Sequence, residues 1–204
     1  MRLITLSLLT LGMACQSSPA DSHQVALATQ AENASQKTNT MANQSLYEQK
    51  ISLKTIDGES FDFGSLKGKR LLLVNTASFC GYTPQYKQLQ ELHEQFGGES
   101  FVIVGFPANN FGQQEPHDNT TIQEFCSKNF GVSFLMMEKI SVSGSDMHPL
   151  YQWLTQKSMN GVQDAPVKWN FQKFLIDEEG RWIDVLSSGV SPLDDKVLAF
   201  AQGA

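Results

Sequence analysis

Leu71-Leu-Leu-Val-Asn-Thr-Ala-Ser-Phe-Cys80-Gly-Tyr-Thr-Pro84 runs from four apolar residues through a short polar loop to a cysteine and a helix-opening Thr-Pro. An unbroken apolar run of this length reads as a strand buried on both faces. Thr83 suits a helix N-cap and Pro84 a first helical turn. The spacing therefore predicts a helix over 84–96, with Leu89, Leu92 and Phe96 on one stripe and Gly97-Gly98 as its stop. Phe101–Phe106 is a second apolar run, and strand, helix and strand in that order predict a right-handed βαβ unit. The thiol then sits just before a helix N-terminus, where the positive end of the helix favours an anion and eases ionisation.

Working outward, the rest of the chain from residue 46 alternates strands and helices. Tyr47–Asp62 holds two short extended pieces around Asp57-Gly58 and predicts an N-terminal hairpin. A second helix is predicted over 120–129 with Asn119 as its cap, a third over 148–156, and a last one over 192–202. Phe171–Asp177 and Trp182–Leu186 flank Glu179-Gly180 as another hairpin. The expected fold class is α/β: a central mixed β-sheet flanked by helices, with a reactive cysteine at a strand-to-helix turn, which is a thioredoxin-like arrangement. Residues 46–204 are enough for one domain with a substantial core.

The first 14 residues hold one arginine and an apolar stretch from Leu3 to Met13, too short to span a bilayer as a helix and shaped like a signal-peptide core. Cys15, followed by Gln-Ser-Ser, resembles the lipid-attachment site of bacterial lipoproteins, although Gly12 and Met13 depart from that motif. An ordinary signal peptide cut nearby is the alternative. Either route exports the protein to the bacterial cell envelope, and the first leaves it membrane-bound only through an N-terminal lipid. Residues 15–45, rich in Ser, Ala, Gln, Asn and Thr, show no hydrophobic period and read as a disordered tether. The formal net charge is −6 with no basic run, which argues against nucleic-acid binding. The four histidines lack paired metal-ligand spacing, so no metal is indicated, and no motif calls for a cofactor.

A cysteine after a strand is often no more than a small buried hydrophobe. The position three residues on is Thr83, which excludes the Cys-x-x-Cys exchange of a dithiol oxidoreductase and leaves single-thiol chemistry open. Three blocks then carry a resemblance: Asn75-Thr-Ala-Ser-Phe-Cys-Gly-Tyr-Thr-Pro-Gln-Tyr86, Gly105-Phe-Pro-Ala-Asn-Asn-Phe-Gly-Gln-Gln-Glu-Pro116 and Lys168-Trp-Asn-Phe-Gln-Lys-Phe-Leu175. With His148-Pro-Leu-Tyr151, they resemble the glutathione peroxidase family in order and spacing over nearly all of residues 46–190. The resemblance implies that Cys80 is the peroxidatic residue, with Gln114, Trp169 and Asn170 beside it as catalytic partners. Chemically these are donors that stay neutral at any working pH, suited to a thiolate and to the oxygens of a peroxide.

Cys126, on the second helix with Ile122 and Phe125, is a core cysteine by default. The segment Glu124-Phe-Cys-Ser-Lys-Asn-Phe-Gly-Val132 also resembles that of the cysteine-type, thioredoxin-dependent members, which implies a resolving cysteine. The implied activity is reduction of hydrogen peroxide and organic or lipid hydroperoxides through a sulfenic acid and an intramolecular disulfide. A thioredoxin-like protein or glutathione would recycle it; a redox relay that oxidises a partner protein is the alternative. Ala108, Phe79 and Asn110 depart from the family, which often has Cys, Lys and Gln there, so one possible positive charge beside Cys80 is missing. The short stretch between Tyr151 and Trp169 resembles that of the monomeric members.

Overall fold

The structure is a computed structural model that describes residues 45–204. The expected signal peptide, Cys15 and all of the expected tether but Ser45 lie outside the described residues. Ser45 itself belongs to the domain: it is buried, and its hydroxyl donates to the Glu179 carbonyl.

The apolar run becomes β3 (Arg70–Thr76), the central strand of a five-stranded sheet. It pairs parallel with β4 (Phe101–Pro107) and antiparallel with β6 (Lys173–Ile176). At the edges β5 (Leu135–Met136) lies parallel to β4, and β7 (Trp182–Leu186) lies antiparallel to β6, giving the order β5-β4-β3-β6-β7. The predicted N-terminal hairpin is present but short, with β1 (Leu53–Lys54) against β2 (Ser60–Phe61). This is the mixed, helix-flanked sheet that the sequence predicted.

Strand alternation divides the core in two. Leu72, Val74, Ile103 and Leu175 face α1 (Gln85–Phe96), α2 (Asn119–Phe130) and α5 (Asp195–Gln202). Leu71, Leu73, Val104 and Phe174 face α3 (Pro149–Thr155), with the short α4 (Lys157–Asn160) after it. Both faces of β3 are buried from Leu71 to Thr76, which is why that stretch reads as continuously apolar rather than alternating. Gly105 in β4 has no room for a side chain, since a Cβ there would come within 2.5 Å of Met136 Sδ.

Several predicted boundaries move, each for a local reason. Asp118, not Asn119, caps α2, its carboxylate accepting from Thr121 N at 2.9 Å, while Asn119 Oδ1 accepts from Lys139 N. Thr83 does not cap α1: its hydroxyl is spent inside the preceding loop, and α1 begins at Gln85 after Pro84. The last helix starts at Asp195 behind the Asp194 cap rather than at Pro192. Strand β6 starts at Lys173, because Phe171 takes a left-handed φ of 64° that no strand residue can hold.

Among the described residues, Lys173 is a lysine whose side chain is fully buried. Its ammonium donates to Gln85 Oε1 at 2.6 Å, Val190 O at 2.6 Å and Ser188 O at 3.3 Å, tying the first turn of α1 to the loop after β7. None of these acceptors is charged, and burial pushes the lysine down to about 7 from 10.5. Unfolding would restore the higher value, so the unfolded chain binds the extra proton between those two pH values. Stability contributed by Lys173 is therefore present above pH 10.5 and lost as pH falls through about 7. Lys173→Met should abolish this slope, which approaches about 1.4 kcal/mol per pH unit in the wild type. Urea unfolding of both proteins across that range is the measurement, and parallel curves would contradict it.

Candidate active site

Beyond β3, residues 77–84 fold as consecutive tight turns that present Cys80. Thr83 Oγ1 accepts from Cys80 N at 3.0 Å and donates to Ala77 O at 2.9 Å, while Thr83 N donates to Cys80 O at 3.0 Å. The sulfur accepts a hydrogen bond from Tyr82 N at 3.4 Å. Cys80 is 7% exposed, between Phe79 at 56% and Tyr82 at 38%. Cys80 is thus nearly buried between two exposed aromatic side chains.

The second block reaches the same place from β4. After Pro107 the chain turns through Gly112 (φ 62°) and Gln113 (φ 53°) to Gln114, whose carbonyl accepts from Phe79 N at 3.0 Å. The third block arrives just before β6. Asn170 Nδ2 donates to Gln114 Oε1 at 3.0 Å, leaving the Gln114 amide NH₂ as the free donor end. Trp169 is 39% exposed and its ring lies 5.6 Å from that of Phe111. The structure thus brings Gln114 and Asn170 into direct contact and ties both to the Cys80 loop. Among the described residues, neither Gln114 nor Trp169 hydrogen-bonds the sulfur.

Two groups that sequence reasoning passed over hold this arrangement. Asn75, fully buried at the end of β3, donates from Nδ2 to Trp169 O at 3.1 Å and accepts at its carbonyl from Phe171 N at 2.6 Å. It brackets Asn170 from both sides. Glu115, next to Gln114, is fully buried and accepts from Ser78 Oγ at 3.0 Å. Their signal was a polar residue ending an apolar strand and a carboxyl inside a block otherwise read for its glutamine. The described residues with positive φ other than glycine are Gln113 and Phe171, each beside one of the two amides. Such conformations cost about 1–3 kcal/mol each and persist only where the surroundings over-determine them.

Cys126 lies on the buried face of α2, in the same apolar cluster as Cys80. Both thiols are free. Burial pushes the Cys126 thiol up to about 11; the Tyr86 hydroxyl beside it opposes that rise and the Glu115 charge adds to it. The neighbouring rings Phe79 and Phe125 stand 6.3 Å apart between the two cysteine segments. Cys126 is one turn from the end of α2, where Val132 N donates to its carbonyl at 3.3 Å and Gly131 (φ 66°) closes the helix.

Residues 46–155 match the glutathione peroxidase family model. The chain is 45% identical over 152 residues to glutathione peroxidase-like peroxiredoxin GPX5 of Chlamydomonas reinhardtii, covering 74% of this chain and 92% of that protein. It is 42% identical over 158 residues to hydroperoxy fatty acid reductase gpx1 of Synechocystis sp., covering 74% and 91%. The crystal structure of Trgpx in apo form matches with a TM-score of 0.58 at 34% identity, over 78% of this chain and 95% of that one. A thioredoxin-family thiol:disulfide interchange protein of Chlorobium tepidum TLS matches in fold alone, with a TM-score of 0.52 at 22% identity over 74% and 92%. The fold is thioredoxin-like. The chain belongs to the glutathione peroxidase family, and it is a thiol peroxidase of the cysteine type.

Asn75→Ala should lower the unfolding free energy by about 1 kcal/mol, because it removes the partly buried hydrogen bond to the Trp169 carbonyl. Equilibrium urea unfolding measures this; an unchanged midpoint would show that the bracket around Asn170 is not maintained by Asn75.

Proposed function

We propose that Cys80 is the peroxidatic nucleophile, that Gln114, Trp169 and Asn170 orient the peroxide, and that Cys126 resolves the oxidised sulfur. The observation that carries the reading is the tie between the Cys80 loop, through Phe79 N, and the bonded Gln114–Asn170 pair at one end of the sheet. The Tyr82 N–H on the sulfur supplies a donor for an anionic nucleophile. The free NH₂ of Gln114 and the exposed indole of Trp169 supply neutral donors for the two peroxide oxygens.

In this mechanism the Cys80 thiolate attacks the terminal oxygen of the hydroperoxide. The S–O bond forms, the O–O bond breaks, and the leaving oxygen takes a proton to depart as alcohol or water. Cys126 then attacks the sulfenic acid: the S–S bond forms, the S–O bond breaks, and hydroxide leaves as water with the Cys126 proton. The disulfide needs Cα atoms within about 7 Å of each other. Opening the last turn of α2, which Gly131 closes just past Cys126, is the local change that would free Cys126 to move. An external dithiol, which we assign to a thioredoxin-like protein rather than glutathione, then reduces the disulfide. A second free cysteine in the same apolar cluster supports that choice, as does the relative named a peroxiredoxin.

The exposed rings of Phe79 and Tyr82 on either side of Cys80 suit hydroperoxides with an apolar chain, in keeping with the relative named a hydroperoxy fatty acid reductase. Export and a lipid at Cys15 would hold a monomeric enzyme beside such substrates in the cell envelope; the leader and Cys15 motif support this part of the reading.

One equivalent of hydrogen peroxide should remove both thiols and yield a Cys80–Cys126 disulfide on peptide mapping. Cys126→Ser should still consume the first equivalent yet lose at least about tenfold of its steady-state rate with a thioredoxin system. Full turnover in that variant would remove Cys126 from the cycle, and faster turnover with glutathione than with thioredoxin would overturn the reductant assignment.

A further inference from the structure

Glu115 is a fully buried carboxyl that the reaction as written does not use. Ser78 Oγ donates to its Oε2 at 3.0 Å, and its Oε1 has no partner. Its backbone is fastened on both sides, N donating to Asn109 Oδ1 at 2.8 Å and O accepting from Lys139 Nζ at 3.3 Å. Gln114 O meanwhile accepts from Phe79 N at 3.0 Å. Two consecutive residues, Gln114 and Glu115, thus accept from the two consecutive residues, Ser78 and Phe79, that lead into Cys80. A buried carboxyl with one bare oxygen is a costly way to make a purely structural tie.

We propose that Glu115 is a positioning residue for Cys80, its ionised carboxyl gripping Ser78 and so fixing the loop that aims the sulfur. The inference rests on Cys80 being the peroxidatic nucleophile. A carboxylate accepts from a hydroxyl more strongly than the neutral acid does, so the grip tightens when Glu115 loses its proton. Ser78 faces the carboxyl from the Cys80 loop, Lys139 from the segment after β5, Tyr86 from α1 and Cys126 from α2. Burial pushes Glu115 up to about 7, against the Ser78 hydrogen bonds and the Lys139 charge, which pull it down. Burial also raises Tyr86, and raises Cys126 to about 11, so both keep their protons near neutrality. Of Glu115, Tyr86 and Cys126, it is Glu115 that burial brings close to neutrality.

The test is the rate at which hydrogen peroxide consumes the Cys80 thiol of the full chain, followed by quenched-flow alkylation across about pH 6 to pH 8. The wild-type rate should rise through an inflection near 7 that Glu115→Gln lacks. At the alkaline end that variant should be about tenfold slower, and at the acidic end it should match the wild type. Glu115→Asp, which keeps a carboxylate, should restore the inflection. Ser78→Ala should lose it too, and should cost little more when combined with Glu115→Gln. A wild-type profile in Glu115→Gln, or an equal slowing at every pH, would overturn the proposal. Failure of peroxide to consume Cys80 in the wild type would instead defeat the peroxidatic reading beneath it.

Discussion

Val74 pairs with Gly105 on one side and with Lys173 on the other, parallel in the first case and antiparallel in the second. The site depends on that double pairing. Because β4 runs with β3, the loop leaving β4 emerges at the end of the sheet where β3 releases Cys80. Because β6 runs against β3, the segment entering β6 is at that same end. Three stretches far apart in sequence are thereby delivered to one place by hydrogen-bond register alone. A one-residue slip of β6 would turn Lys173 from the α1 face to the other and shift Asn170 away from Gln114.

Delivery alone does not orient amides. At this end of the sheet the backbone leaves its ladders, and each freed polar group needs another partner. Asn75 supplies two, one to each side of Asn170. Thr83 supplies two more within the Cys80 turn. The unfavourable φ at Phe171 is held by the Asn75 bond to its N–H and by the burial of its ring edge-on against Tyr86 at 5.4 Å, and that at Gln113 by the bonds of the next residue, Gln114 N to Phe111 O and Phe79 N to Gln114 O. The conformational cost therefore falls at the residues next to the two amides and is offset by the packing of α1 against the sheet.

Much of this was legible from the residues. The unbroken run Leu71–Val74, the helix behind Pro84 and the second run at Phe101 specify the βαβ core, because burial on both faces forces continuous apolar character. Cys80, Gln114 and Asn170 were legible as a set through the resemblance of three blocks. The caps were less so: Asp118 and Asn119 are both good cap residues, and which one faces Thr121 is decided by whether Asn119 is needed at Lys139. Thr83 illustrates the same limit, since its hydroxyl serves the loop and not the helix. Asn75 and Glu115 were missed because their roles lie in tertiary contacts across the sheet end, and local pattern carries no trace of those. Lys173 reads as an ordinary lysine in a strand until Gln85, Ser188 and Val190 surround it.

The site is built from dipoles more than from charges. Phe79 stands beside Cys80 where a cation would be the simplest support for a thiolate, and the donors around the sulfur and its neighbours are a backbone N–H and carboxamides. Fixed dipoles stabilise an anion only if they are already oriented, because they cannot be drawn in from a distance as a mobile charge can. This makes rigidity a chemical requirement at Cys80, and it accounts for the density of hydrogen bonds between residues 75 and 83. Cys126 faces the opposite demand. Its thiol is buried one turn from the end of α2, where a helix frays most readily, and in the proposed cycle that turn would loosen for the sulfurs to meet. One cysteine is held still and the other is placed where the fold gives way, and the proposed cycle, in which Cys126 resolves Cys80, would need both.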